Sequence, residues 1–182
     1  EHIMNIYSKY GFNDFIIAAG YKGEIIKKYF KNNQKFNVKV VDTGAKTLTG
    51  GRVLRLKKYI DNKRFMLTYG DGIANINIKK LLNFHIENNK MITVTAVRPP
   101  ARFGAIKING SQVNYFKEKS KLDEGWINGG FFVMSPKVFN YIKSDNTFLE
   151  RKPFEELSKN KQLLAYKHKG KWYCMDTKRD RD

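Results

Sequence analysis

Short apolar runs alternate along this chain with segments whose apolar residues recur every three or four positions, the mark of strands interleaved with amphipathic helices. Phe15-Ile16-Ile17-Ala18-Ala19 reads as a buried strand ended by Gly20. Ile25, Ile26, Tyr29 and Phe30 then fall on one side of a helix. A second strand, Val38 to Val41, leads into a polar, glycine-bearing stretch from Asp42 to Arg52, and Phe65 to Tyr69 is a third strand that stops at Gly70-Asp71-Gly72. Behind Asn77, a fitting N-cap, Ile78, Leu81, Leu82 and His85 mark a helix face on which His85 is packed. Ile92 to Val97 follows as another strand.

From Gly104 the character changes. Ala105 to Ile108 and Val113 to Phe116 flank Asn109-Gly110, the strongest short hairpin signal. Phe131 to Met134 reads as a strand, and Ser135-Pro136 as a cap plus first-turn proline opening a helix through Tyr141 and Ile142. Leu163 to His168 and Lys171 to Met175 are expected to pair around Gly170. The whole pattern predicts an α/β layer architecture with a largely parallel sheet and one or more hairpins. No repeat, linker or shift of composition divides residues 1–182, so a single domain is expected.

Composition narrows the class. With 41% hydrophobic and 14% aromatic residues the chain fills a core. Cys174 stands alone, and His2, His85 and His168 make no zinc spacing. His168 and Cys174 also lack the partner that acyl-transfer chemistry needs. No apolar run approaches the roughly 18 to 20 residues of a membrane span, and Glu1-His2-Ile3-Met4 lacks the layout of a secretory signal, so a cytoplasmic protein is expected. The 35 Lys+Arg against 17 Asp+Glu give a formal charge of +18. That balance admits a basic nucleic-acid-binding module as one reading. The lysines, however, are scattered in ones and twos on polar sides of elements, with no aromatic-interleaved stripe, which favours a solvated surface serving small phosphorylated substrates.

Thr68-Tyr69-Gly70-Asp71-Gly72 puts a carboxylate at the C-terminal edge of a strand, between glycines that let a ligand approach the backbone; open α/β sheets bind ligands there. Taken alone the same residues are more often just a turn. They are followed in order by Arg102-Phe103-Gly104, Phe116-Lys117-Glu118-Lys119, Gly125 to Gly130 and Met175-Asp176-Thr177, and preceded by Val41-Asp42-Thr43-Gly44 and Leu48-Thr49-Gly50-Gly51-Arg52. This ordered series, running nearly the length of the chain, resembles the sugar nucleotidyltransferases, and within them the cytidylyltransferases that act on glucose 1-phosphate.

The resemblance implies a Rossmann-like nucleotidyltransferase fold and a Mg2+-assisted attack of glucose 1-phosphate on CTP, giving CDP-glucose and pyrophosphate. UTP, dTTP or another sugar phosphate remains the rival within the same chemistry. By motif match, Asp71 and Asp176 would hold Mg2+, a hard cation that prefers oxygen ligands. Lys119 would contact the sugar phosphate, with Glu118 accepting from hexose hydroxyls. Ser120 stands where the family has proline. Thr47, Gly50, Gly51 and Arg52 match the stretch along the nucleotide; Gly70, Gly104, Asn128, Gly129 and Gly130 match positions where backbone approaches substrate. Without the pattern, Lys119 is one more solvated lysine and Asp176 a surface aspartate. Trp126 is expected to fill core near the cleft, with ring stacking as the alternative. The family further implies homo-oligomers and a role in nucleotide-sugar supply for cell-surface O-antigen. Its glycine-rich strand-loop, which cradles the triphosphate, has no match here, and the segment after Tyr29-Phe30 is short; on that basis residues 1–182 alone are expected not to turn over.

Overall fold

The computed structural model describes residues 1–99, 105–117 and 125–175. In chain order its elements are α1 (His2–Ser8), β1 (Asp14–Ala19), α2 (Gly23–Phe30), β2 (Asn37–Asp42), α3 (Thr49–Arg55), β3 (Phe65–Thr68), β4 (Gly72–Ala74), α4 (Ile78–Asn88), β5 (Ile92–Val97), β6 (Ala105–Asn109), β7 (Gln112–Lys117), β8 (Ile127–Met134), α5 (Lys152–Lys159), β9 (Leu163–Lys167) and β10 (Trp172–Cys174), with 3-10 turns at Lys57–Tyr59 and Pro136–Tyr141. A four-stranded sheet runs β3-β8-β5-β9; β8 is antiparallel to both its neighbours, and β9 is parallel to β5. β1 and β2 pair in parallel, and β6 with β7 form the antiparallel hairpin. The expected α/β fold and hairpin form, and the sheet is mixed, with β3, β5 and β9 running one way and β8 the other.

β8 shows why the sheet sits where it does. A strand turns successive side chains to opposite faces, so four consecutive apolar residues serve two cores at once. Phe132 and Met134 join Val53, Ile92, Val138, Leu149 and Leu157 on one face, while Phe131 and Val133 join Tyr7, Ile76, Ile78 and Leu81 on the other. All four β8 residues are fully buried. At roughly 1.5–3 kcal/mol per large buried apolar side chain, this strand is the energetic centre of the molecule. α4 is held on the second face as anticipated: Asn77 Oδ1 accepts the Lys80 backbone N–H at 2.9 Å, and Ile78, Leu81 and His85 are buried.

Three expectations are corrected. Leu163–Lys167 and Trp172–Cys174 do not pair with each other: β9 lies parallel on β5 and β10 antiparallel on β4. The outer edge of β5 offers a five-pair ladder, continued by His168 N–H to the Ala96 carbonyl at 2.8 Å, so its buried polar groups are satisfied there instead. The helix after Ser135-Pro136 is a 3-10 turn ending at Tyr141, because Ile142 is already extended (ψ 109) and drops into the core. Trp126 is not core; it is 37% exposed, with the Arg98 guanidinium 5.0 Å and the Lys167 ammonium 5.7 Å from its ring.

Candidate active site

The C-terminal ends of β1, β2 and β3 lead into polar, glycine-bearing loops, and the N-terminal end of the antiparallel β8 lies against the C-terminal ends of β3 and β5. The loop after β2 is built from its own side chains. Asp42 Oδ1 accepts the Gly44 N–H at 2.8 Å, Gly44 takes φ +84, and buried Thr43 donates its hydroxyl to the Ala19 carbonyl at 2.7 Å. Arg52 closes this corner, donating to Thr43 Oγ1 at 2.7 Å and to the Ala19 carbonyl at 3.2 Å.

α3 starts under a crossing segment. Its first turn leaves backbone N–H groups without helical partners. The Asp145 carbonyl accepts from Leu48 at 2.9 Å, and that of Thr147 from Gly50 at 2.9 Å and Gly51 at 3.3 Å. This approach demands glycine: a Cβ on Gly51 would sit 2.5 Å from the Asp145 Cα, and one on Gly50 2.8 Å from the Thr147 carbonyl oxygen. An exposed Arg55–Asp145 ion pair at 2.5 Å fastens the same crossing, and the guanidinium hydrogen bonds hold the Asp145 carboxyl below its usual range.

The crossing segment delivers Glu150 to the rim. One of its oxygens accepts from the Tyr69 phenol, the other from Thr49 Oγ1 at 2.7 Å, and that hydroxyl accepts the Leu149 N–H at 3.0 Å. Tyr69 follows β3 directly, its N–H donating to the Gly130 carbonyl at 3.0 Å and its ring packed on Phe132 with centroids 5.3 Å apart. Burial, then the bond to the Glu150 carboxylate, pushes the phenol far above its ordinary pKa; hydrogen bonding from Asn128 partly offsets this and the charge of Asp71 adds to it. Tyr69 is therefore a neutral donor at any working pH.

Asp71 stands beside this network. It is exposed, and among the described residues its carboxylate makes no hydrogen bond or ion pair. Among the described residues nothing lies within 4 Å of where a Cβ on Gly70 would be. The β4/β10 pairing ends with the Met175 N–H on the Asp71 carbonyl at 2.9 Å, so the chain returns to this point just before Asp176. Across the rim, β8 bulges opposite Val94 to Ala96, with Gly130 at φ +76 and its N–H on Asn128 Oδ1 at 2.9 Å. Gly129 is packed against Val97, where a Cβ would approach the Val97 Cγ1 to 2.7 Å, and its carbonyl accepts from Trp172 Nε1 at 2.9 Å.

Residues 1–178 match the nucleotidyl transferase family. The chain belongs to that family. Among curated members it is 42% identical to a glucose-1-phosphate cytidylyltransferase of Salmonella typhimurium, over 99% of this chain and 79% of that protein. It is 41% identical to a probable glucose-1-phosphate cytidylyltransferase of Bacillus subtilis, over 97% and 78%. A heptose 1-phosphate guanylyltransferase of Campylobacter jejuni reaches 29% over 86% of this chain and 68% of its own length. The Salmonella alignment runs to 204 positions, longer than this chain, so that nucleotidyltransferase carries residues between matched segments that this one lacks. In fold, the chain superposes on HddC of Yersinia pseudotuberculosis, crystallised with GMP-PN, with TM-score 0.73 at 22% identity, covering 97% of this chain and 79% of that one.

Of the residues the family pattern singles out, Thr47, Gly50, Gly51, Arg52, Gly70, Asp71, Asn128, Gly129 and Gly130 all fall on this rim or the loops that wall it. Gly104, Glu118, Lys119 and Asp176 lie outside the described residues. Gly50, Gly51, Arg52 and Gly129 have protein partners that account for them without a ligand. Glu150, with its bonds to Tyr69 and Thr49, belongs to the site as well, and no local sequence signal marks it.

Proposed function

We propose that this nucleotidyltransferase moves the cytidylyl group of CTP onto α-D-glucose 1-phosphate, forming CDP-glucose and pyrophosphate. The observation that carries this reading is the 42% identity to a glucose-1-phosphate cytidylyltransferase over 99% of the chain, against 26–29% to guanylyltransferases. The rim geometry supports it. A sugar-phosphate oxygen attacking the α-phosphorus in line with departing pyrophosphate needs positioning and charge neutralisation more than an enzyme nucleophile.

Asp71 is chemically fit to hold a divalent cation: it is an exposed oxygen donor whose carboxylate, among the described residues, makes no hydrogen bond or ion pair, and the family pattern supplies Asp176 as the second carboxylate. Bound Mg2+ would neutralise the triphosphate charge that develops as pyrophosphate leaves. By the family pattern Lys119 would meet the sugar phosphate as a point charge, Glu118 would accept from hexose hydroxyls, and the backbone at Gly104, Asn128, Gly129 and Gly130 would approach the hexose. Thr47, Gly50, Gly51 and Arg52 form the wall along the nucleotide, stiffened by the crossing segment and by the Arg52 bonds.

The test is pyrophosphate release by the complete protein with glucose 1-phosphate, Mg2+ and each of CTP, UTP, dTTP and GTP. CTP is expected to be preferred by at least about tenfold, 1.4 kcal/mol of barrier. Asp71→Ala and Asp176→Ala are each expected to lower kcat by about a hundredfold or more. Rates within about tenfold of the unaltered protein in both variants would remove the metal assignment; equal use of UTP or dTTP would remove the cytidine one.

A further inference from the structure

Asp71 and the α3 wall belong to different parts of the chain, and one side chain bridges them. Glu150 comes from the segment before α5, binds Tyr69 two residues ahead of Asp71 with one oxygen, and binds Thr49 at the head of α3 with the other. Every donor and acceptor in the bridge is used in a fixed direction. The Leu149 N–H points at Thr49 Oγ1, which commits that hydroxyl's proton to Glu150. The Tyr69 hydroxyl donates to the other oxygen. Tyr69 itself cannot swing, because its backbone N–H is on Gly130 and its ring on Phe132 and on the Gly130 Cα face. An ionised acceptor with two neutral donors makes charge-assisted bonds, stronger and stiffer than neutral ones.

We infer that Glu150 is a positioning residue for the reaction proposed above, fixing Asp71 relative to the α3 wall through its paired bonds to Tyr69 and Thr49, so that metal and nucleotide are held in one register. Both of its oxygens are taken up by Tyr69 and Thr49, so it acts through them. A glutamate that merely stabilised the fold would affect the melting temperature and the active fraction. A positioning glutamate changes how tightly the site takes its cation.

The experiment compares the complete unaltered protein with Glu150→Gln, Tyr69→Phe and the double variant, each first shown folded by far-UV circular dichroism. Two readouts are taken: the Mg2+ concentration giving half-maximal pyrophosphate release, and Mn2+ binding in the presence of CTP, followed by loss of the free-ion electron paramagnetic resonance signal. Each single variant is expected to weaken both by about tenfold or more, the scale of one charge-assisted hydrogen bond, and the double variant to be no worse than the poorer single, since both break one bridge. Thr49→Val, which removes the second bond without touching the β3 side, is expected to act in the same direction, and stands in if Glu150→Gln fails to fold. If the unaltered protein releases no pyrophosphate yet these variants weaken its Mn2+ binding, the cytidylyl reading fails and the positioning role stands. Mn2+ binding unchanged within about twofold in folded variants, strictly additive losses, or no Mn2+ binding by the unaltered protein would each overturn it.

Discussion

Gly51 and Gly70 separate two reasons for a glycine. At Gly51 the obstruction to a side chain is the Asp145 backbone, which cannot rotate out of the way, whereas at Gly70 none of the described residues comes within 4 Å. Gly51→Ala gains up to about 1 kcal/mol of helix propensity in α3 and loses more to overpacking, for a net destabilisation of about 1–2 kcal/mol. Gly70→Ala is expected to leave stability within about 0.5 kcal/mol. Urea unfolding midpoints at fixed slope check both. Equal midpoints for the two variants would mean that the crossing segment yields to α3. The same contrast explains what the sequence shows of the site. A Gly-Gly pair and an Asp between glycines are visible as motifs, but whether a glycine admits a ligand or a neighbouring strand of the protein depends on what folds over it. Asp71 is legible because its surroundings are local. Glu150 is not, because its partners stand 81 and 101 residues away and nothing in Leu149-Glu150-Arg151 encodes them.

The α4–β5 joint shows an element whose position was written in its periodicity and whose pH response was not. Residues 78, 81 and 85 define a buried stripe, and the third of them is a histidine, 2% exposed, paired through Nδ1 with Thr93 Oγ1 at 2.9 Å. Burial, with the positive charge of Arg64 as a lesser cause, lowers the His85 pKa from 6.5 to about 4. The folded protein thus keeps His85 neutral where the unfolded chain takes up a proton. Stability from this group is complete above pH 6.5 and is lost as pH falls toward 4, by an amount on the order of 3 kcal/mol at most. Unfolding free energies between pH 7.5 and 4 should fall accordingly, and a His85→Gln variant should show a flatter profile over that window; identical slopes would show that the ring is solvated when protonated. Elsewhere the periodic signal fails for physical reasons. α3 spends two of its seven positions on glycine, and α5, although Pro153, Phe154 and Leu157 make it a buried face, is only eight residues long, too short a run for the period to stand out. β9 and β10 look like a hairpin because local pattern cannot see that β5 and β4 offer each a better edge.

At the scale of the whole molecule the charge has to be accommodated. Even if every Asp and Glu were paired with a cation, 18 Lys or Arg would remain over, and exposed pairs such as Arg55–Asp145 contribute little in any case. The folded state brings these charges closer than the unfolded chain does, so self-repulsion opposes folding, and it is screened once the Debye length falls below about 10 Å, near 0.1 M salt. Raising NaCl from about 0.05 to 0.5 M should therefore raise the melting temperature by about 2–6 °C. On the proposed function the same field would attract CTP, and screening would weaken that attraction, so kcat/KM for CTP should fall over the same range while kcat changes little. The two curves moving in opposite directions would assign the positive surface to substrate capture at a cost in stability. A melting temperature that fell with salt would mean that the cations are held by local partners, and a kcat/KM insensitive to salt would mean that the surface charge does not serve CTP. Tight, steeply salt-dependent binding of short nucleic acid near physiological ionic strength would give the surface to a different polyanion.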